Sequence, residues 1–349
     1  MSSSESLADL FSSLQHQPEQ PASTNGSGQI DDLFAEWDDE DTVAAIEAAL
    51  SHVGEVIRLE ADGDFPLRLR EARPDIVFNF AESIGGPSRE SFVPAFCEFW
   101  GIPYTGSDPL TLGICLDKAR TKETLTHHGI PTPEFQVAPC PEDVRREMRL
   151  PVIVKPLHEG SSKGITQRSF CATWEEVETE VSRVVERYRE PAIIERFLDG
   201  REFTVAVLGN DGDGRVLPIV ELDYSTLPGG SRPLYGFEAK WVWDRPEKPL
   251  DIFQCPARCT PELERRIEGI AMAAYRILRC RDWARIDIRC DSDGSPHVLE
   301  VNPLPGVIPD PAANSCYPKA ARAAGLSFDE VILGVLQAAA ARYDLKVID

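Results

Sequence analysis

Arg285–Val307 reads RIDIRCDSDGSPHVLEVNPLPGV. Two apolar runs flank Asp293-Gly294, a strong signal for a two-residue hairpin turn. A turn centred there pairs Asp287 with Glu300 and Arg285 with Asn302. Side chains alternate along a strand, so all four lie on one face, with opposite Cβ atoms roughly 5 Å apart. Polar groups inside apolar strands are costly unless something there needs them. Two carboxylates this close repel unless a hard cation lies between them. Carboxylates, an amide oxygen and water are the donors Mg²⁺ prefers, commonly shared with phosphates. Asp287, Glu300 and Asn302 are therefore candidate metal ligands. The alternative is a local Arg285–Asp287 ion pair, with Glu300 facing solvent on an edge strand. Asp291-Ser292-Asp293-Gly294 faintly resembles a calcium loop but lacks the distal Glu, and it reads as the turn.

A cation held through phosphates calls for lysines and a glycine-rich loop elsewhere, and VIVKPLHEGSSKGI supplies both. Lys155 ends a buried strand, where its charge needs an anion. Gly160 and Gly164 free the backbone after it, and Ser161 and Ser162 add small hydroxyls. Successive N–H groups of such a loop form an anion nest. No GxxxxGK[S/T], GxGxxG or HExxH is present. Taken alone, a Gly-Ser loop is as readily a flexible turn.

Composition narrows the function classes. The chain has 349 residues, 42% of them hydrophobic, enough for two or three domains. Its 36 basic and 58 acidic residues give a net charge of −22, which disfavours nucleic acid and anionic membranes as partners. Nine cysteines without CxxC spacing read as scattered thiols in a reducing, cytoplasmic setting. No apolar run is long enough to cross a bilayer, and no basic-then-apolar leader opens the chain.

Along the chain, residues 1–41 are acidic and rich in Ser, Gln, Pro and Gly, and read as a disordered, solvated tail. Residues 42–107 alternate helix and strand: TVAAIEAALSHV, EVIRLE, FPLRLREAR, PDIVFNF. That alternation predicts a small parallel α/β domain. Residues 108–198 and 199–349 form two further units. The first holds strands LPVIVKP and PAIIERFL around helix TWEEVETEVSRVVERYRE. The second opens with EFTVAVL and RVLPIVEL as paired strands, makes a Pro-rich excursion over Ser225–Pro261, and contains the hairpin.

These motifs, in this order, resemble the D-alanine–D-alanine ligase family of the ATP-grasp superfamily from about Asp75 onward. The resemblance rests on GIPYTGSD…LDKARTK, VIVKP…EGSSKG, IIERFLDGREFTVAVL, YGFEAKW, WARIDIRCDSDG and LEVNPLPG. It implies an α/β fold of the α+β ATP-grasp type, with two ATP-grasp subdomains sandwiching ATP. It implies that Lys118, Lys155 and Lys240 hold ATP phosphates, with Ser161 and Ser162 in the closing loop. Glu195, Phe197 and Leu198 would form the adenine hinge, and Glu202 would bind ribose. Asp287, Glu300 and Asn302 would bind two Mg²⁺, or Mn²⁺. Arg285 and the Gly306 amide would stabilise an oxyanion, and Ser315 would grip a substrate carboxylate. The activity implied is ATP-driven amide formation through an acyl phosphate, on small amino or carboxylic acids. Relatives of this kind are commonly homodimers.

The departures from the family pattern fall on the substrate side. Glu82 stands where the family has a His and is counted as substrate-binding. SRES (Ser88–Ser91) replaces an acidic GEDG, Pro303-Leu304 interrupts an N-T-S-P-G run, and Trp241 replaces a Tyr. The expected strand and Gly-rich loop at the family's start have no counterpart. Two alternatives therefore stay open: an ATP-grasp ligase joining other acids and amines, and a nucleotide-binding regulator with little catalysis.

Overall fold

A computed structural model describes residues 39–83, 86–210, 212, 214–244 and 250–346. Most of the expected tail therefore lies outside the described residues. Helix α1 spans Glu40–Leu50 and starts inside the expected tail, because the Asp39 side chain accepts from Thr42 N at 2.8 Å and caps it. Glu40 and Asp41 then complement the helix dipole in the first turn. Helices α2 (Phe65–Ala72), α3 (Phe92–Trp100), α4 (Pro109–Leu116) and α5 (Lys118–His127) follow.

The parallel unit expected over 42–107 is reduced to one isolated parallel bridge between Val77 and Tyr104. EVIRLE forms no strand, and Ile57 within it is exposed, so its apolar alternation meets no opposing strand. The segment is anchored by other means. Buried Asp282 accepts from Gly106 N (2.7 Å), Asn210 Nδ2 (2.7 Å) and Arg342 Nη2 (2.7 Å), while Phe78 packs edge-on against Trp283.

Two antiparallel sheets carry the rest. The first has strands β1 (Phe135–Ala138), β2 (Val152–Pro156), β3 (Phe170–Cys171) and, after helix α6 (Trp174–Tyr188), β4 (Ala192–Arg196), in the order β1-β4-β2-β3. Thr173 and Glu176 form a capping box that starts α6. Its Val177, Val181 and Val184 pack on Val152, Val154, Ala192 and Ile194. All five residues of β2 are buried, Lys155 among them.

The second sheet contains β5 (Glu202–Leu208), β6 (Arg215–Val216), β7 (Val220–Leu222), β8 (Phe253–Gln254), β9 (Trp283–Cys290) and β10 (Pro296–Asn302). Its order is β10-β9-β5-β7-β8, with β6 also on β5. RVLPIVEL pairs with β5 as expected but breaks into β6 and β7 around Pro218, which has no N–H for a ladder. Helix α7 (Pro261–Ile277) covers one face, setting Ile267, Ala271 and Ala274 against Phe203, Val205, Ile286 and Ile288. Each such Val, Ile or Phe contributes about 1.5–3 kcal/mol by burial.

The other face is split. Ala206, Leu208 and Trp283 pack under α8 (Cys316–Ala323) and α9 (Phe328–Arg342), with Ile46 and Ala49 of α1 in the same cluster. Strand periodicity then places Glu202, Thr204, Arg285, Asp287 and Arg289 on that same face, beyond the apolar cover. The site is built there.

Candidate active site

The hairpin delivers the expected pairing by a different route. Its loop has five residues: Cys290 pairs with Pro296, and Asp291 N donates to Ser295 O at 3.0 Å. Near the loop the strands are out of step with a two-residue turn, and an irregularity between Val298 and Glu300 corrects them. Beyond it, Glu300 faces Asp287 and Asn302 faces Arg285. A bulge leaves backbone groups without ladder partners, and here three of them are met from outside the hairpin. Val298 N donates to Pro131 O (2.8 Å), Thr132 Oγ1 to Val298 O (2.8 Å) and Lys122 Nζ to Leu299 O (3.0 Å).

Within the four-residue cluster, Asp287 accepts from Thr204 Oγ1 (2.8 Å), Arg285 Nη2 (3.0 Å) and Asn302 Nδ2 (3.2 Å). The local Arg285–Asp287 pair is thus real. Glu300 does not face solvent alone, however: Lys118 Nζ lies 3.3 Å from Oε1. Burial opposes its ionisation, yet Lys118, Lys155 and Arg285 hold its carboxyl below the ordinary range. Among the described residues no three His, Cys, Asp or Glu side chains cluster for a metal. The donor set here is two carboxylates and one amide.

The anion that buried Lys155 needs is Glu195, on the neighbouring strand. Glu195 is 1% exposed; Lys155 Nζ lies 2.8 Å from Oε2 and Lys122 Nζ 3.3 Å from Oε1. Burial alone would protonate the acid, and the two ammoniums keep it ionised. Burial in turn pushes the Lys122 ammonium down to about 8. The Glu195 carboxylate therefore points at two lysines. Lys122 was missed because its spacing is that of any helix lysine. Only the tertiary fold reveals that it touches Glu195, Thr132 and the bulge.

The Gly-Ser loop adopts an unusual backbone. Ser161 and Ser162 themselves take positive φ, +49° and +62°, with Gly164 at +72°. Left-handed non-glycine residues are costly and collect at functional sites. Gly164 is obligatory, because a Cβ there would sit 2.4 Å from Pro156 Cγ. Part of the Pro-rich excursion docks on this loop. Ser162 Oγ donates to Tyr235 O (3.0 Å), Phe237 N to Ile165 O (2.7 Å) and Trp241 Nε1 to Ser161 O (3.3 Å). Lys240 lies in the π-helical turn Glu238–Trp243, with its ammonium 5.0 Å from the Trp241 ring centre.

Just beyond β4, Leu198 is buried and Phe197 packs edge-on against Phe170 at 4.9 Å. Burial raises the Glu202 carboxyl, and Arg289, donating to Oε2 at 2.8 Å, opposes this. Gly306 is exposed, and a Cβ there would meet nothing. Ser315 is buried, and its Oγ accepts from Ile308 N at 3.2 Å. Glu82 is half-buried in the segment following Asn79. Thr204 and Arg289, like Lys122, escaped the sequence reading; their even spacing from Asp287 and Glu202 was the available signal.

Two antiparallel sheets that set Asp287, Glu300 and Asn302 beside Lys118 are those of an ATP-grasp fold, and comparison with known proteins narrows the class. The family model described as D-ala D-ala ligase C-terminus matches residues 125–337. The D-alanine–D-alanine ligase of Bordetella avium is 36% identical over 242 residues, covering 68% of this chain and 70% of that one. A protein of Sinorhizobium fredii named uncharacterized protein y4sG is 36% identical over 309 residues, covering 86% and 87%. Among solved structures, Bacillus anthracis D-alanine–D-alanine ligase complexed with ATP shares the fold, with a TM-score of 0.67 at 23% identity over 87% of this chain and 94% of that one. The VanG D-Ala:D-Ser ligase of Enterococcus faecalis gives 0.59 at 25% identity, covering 76% and 73%. The chain belongs to the D-alanine–D-alanine ligase family of ATP-dependent, ADP-forming ligases.

Proposed function

We propose that the chain joins two small amino or carboxylic acids by an amide bond, with D-alanine as the reference substrate. The γ-phosphoryl of ATP passes to a carboxylate oxygen of the first acid, and ADP leaves. The amine of the second attacks the acyl carbon, the bond to phosphate breaks, and the amine loses a proton. The observation that carries this reading is the pairing of Asp287 with Glu300 and Arg285 with Asn302, beside Lys118 and Lys155.

In this reading Lys118, Lys155 and Lys240 neutralise the phosphates, and Ser161 and Ser162 close over them. The two sheets, divided near residues 198 and 199, enclose the nucleotide, with Phe197 and Leu198 against the base, Glu195 at its edge and Glu202 on the ribose. Asp287, Glu300 and Asn302 fit a hard cation, because Glu300 is kept ionised despite burial. With Asn302 Nδ2 spent on Asp287, the amide oxygen is the atom it has left to offer. Two Mg²⁺ ions, or Mn²⁺, would supply charge neutralisation to the phosphates when bound. Arg285 and the Gly306 amide face the developing oxyanion, and Ser315 and Glu82 hold the substrates. Ser161 and Ser162 meeting the 235–241 segment keeps water from the acyl phosphate.

A second reading, a pair of substrates other than two D-alanines, is favoured by Arg89. This residue is buried and donates to His158 O at 3.0 Å, in the stretch where the family is acidic. ADP release with Mg²⁺ over D- and L-amino acids, singly and paired, separates the two. Turnover with D-alanine alone selects the first, turnover only with another pair selects the second, and silence throughout returns the regulatory reading. Lys155→Ala should weaken ATP binding at least tenfold; unchanged binding would sink the phosphate assignment.

Nine free thiols fit a cytoplasmic setting. Phe92, Phe96 and Phe99 lie exposed along α3 at helical spacing, which supports a homodimer through that helix.

A further inference from the structure

The row of rings and cations where the nucleotide is proposed to sit has no part in the phosphate chemistry. Arg289 lies two residues beyond Asp287 on the same face of β9, directly across from Glu202 on β5. It is 3% exposed, and its Nη1 donates to Glu202 Oε2 at 2.8 Å. Its guanidinium carbon sits 4.6 Å from the Phe197 ring centre and 5.3 Å from that of Tyr224. Phe197 in turn meets Phe170 at 4.9 Å, and Arg232 of the Pro-rich excursion lies 4.5 Å over Phe170. The row Arg232–Phe170–Phe197–Arg289–Tyr224 thus runs from the edge of the first sheet to the second and takes in the excursion.

Among the described residues, two polar atoms in that row are unsatisfied, the Tyr224 hydroxyl and a guanidinium nitrogen of Arg289. Arg289 Nε is buried and has no hydrogen-bond partner among the described residues. A charged donor left unmet in a buried place is expensive, and native structures rarely keep one without a reason. An ion pair serving only the fold would need neither rings from both sheets nor a spare N–H. A nucleotide supplies what is missing: sugar hydroxyls donate to a carboxylate such as Glu202, and ring or sugar acceptors take an N–H.

We propose that Arg289 is a specificity-determining residue for the nucleotide, fixing Glu202 for the sugar hydroxyls and offering its own Nε–H to the sugar or base. This rests on the reading of Phe197, Leu198 and Glu202 as nucleotide contacts. Stacked against rings and bonded to a carboxylate, a guanidinium keeps its plane and direction in a way an ammonium does not.

The test uses the full-length enzyme and the variants Arg289→Met and Arg289→Lys. Binding of ATP and of 2′-deoxy-ATP is measured by calorimetry, kcat and KM with both nucleotides by ADP release, and melting without nucleotide. Arg289→Met should raise the Kd for ATP at least tenfold, raise KM far more than it lowers kcat, and shrink the preference for ATP over 2′-deoxy-ATP. Arg289→Lys, which keeps the charge but loses the planar fork, should shrink that preference too, and it decides the matter if the Met variant does not fold. Unchanged ATP affinity and an unchanged preference, with only a lower melting point, would overturn the proposal. So would a wild-type enzyme indifferent to the 2′-hydroxyl. If Lys155→Ala also leaves ATP binding intact, the nucleotide reading itself has failed. If Lys155→Ala weakens binding and the Arg289 variants do not, only the role of Arg289 falls.

Discussion

The hairpin of β9 and β10 and the segment over residues 55–107 both announce themselves as alternating apolar stretches, and they fold very differently. In the hairpin the two strands are joined by five residues, so partners meet at little entropic cost and the pairing is decided locally. In the N-terminal segment any partner must come from farther along the chain, and among the described residues only the Val77–Tyr104 bridge forms. The residues proposed to carry chemistry lie where pairing is local and braced. Those proposed on the substrate side, Glu82 and the Arg89 stretch, lie where it is not.

The largest expected effect breaks the braced side. Asn302→Ala removes one of the three proposed metal ligands and the contact to Asp287 while leaving the strand backbone in place. Turnover should fall at least about 100-fold, in line with the loss of electrostatic stabilisation at a reacting centre. Circular dichroism and melting should stay near wild type. Activity within a few-fold of wild type would remove Asn302 from the site.

Lys122→Met comes next, and it sharpens the comparison because it attacks the brace rather than the ligands. The ammonium is fully buried and ties Leu299 O, Thr132 Oγ1 and Glu195 together. Met fills much of the volume, and Glu195 keeps Lys155. The expected loss is therefore about 1.5–3 kcal/mol, the range for a hydrogen bond to a charged group, read from urea unfolding. If Lys122 holds the bulge, turnover falls alongside stability. A variant as stable as wild type would show that the bulge needs no ammonium.

How much was legible follows the same division. The pairing of Asp287 with Glu300 was readable because alternation and a turn signal lie within one short stretch. The turn was nonetheless misjudged by one register step, and the bulge restored it. Lys155 could be read as needing an anion, but that the anion is Glu195 depends on β2 lying beside β4. Lys122 becomes visible only once strands and helix are packed, since nothing in its immediate sequence sets it apart, while Thr204 and Arg289 are marked only by their even spacing from Glu202 and Asp287. The parallel domain failed for the opposite reason: its pattern was present, but a strand exists only with a neighbour.

Ile57→Ser isolates that last point, with the smallest effect of the three. In a buried strand an apolar-to-polar change of this kind removes both packing and a satisfied environment, and core truncations there cost about 2–5 kcal/mol. Ile57 is 55% exposed and belongs to no ladder, so the change should stay within about 0.5 kcal/mol, as at ordinary surface positions. The matched control is Ile286→Ser, on a strand paired on both sides and with no exposed surface, which should be far more destabilising in the same urea titration. A large loss at Ile57 would mean that EVIRLE has a covering partner after all. The contrast between the two regions would then be one of how the strands are covered, and distance along the chain would not explain it.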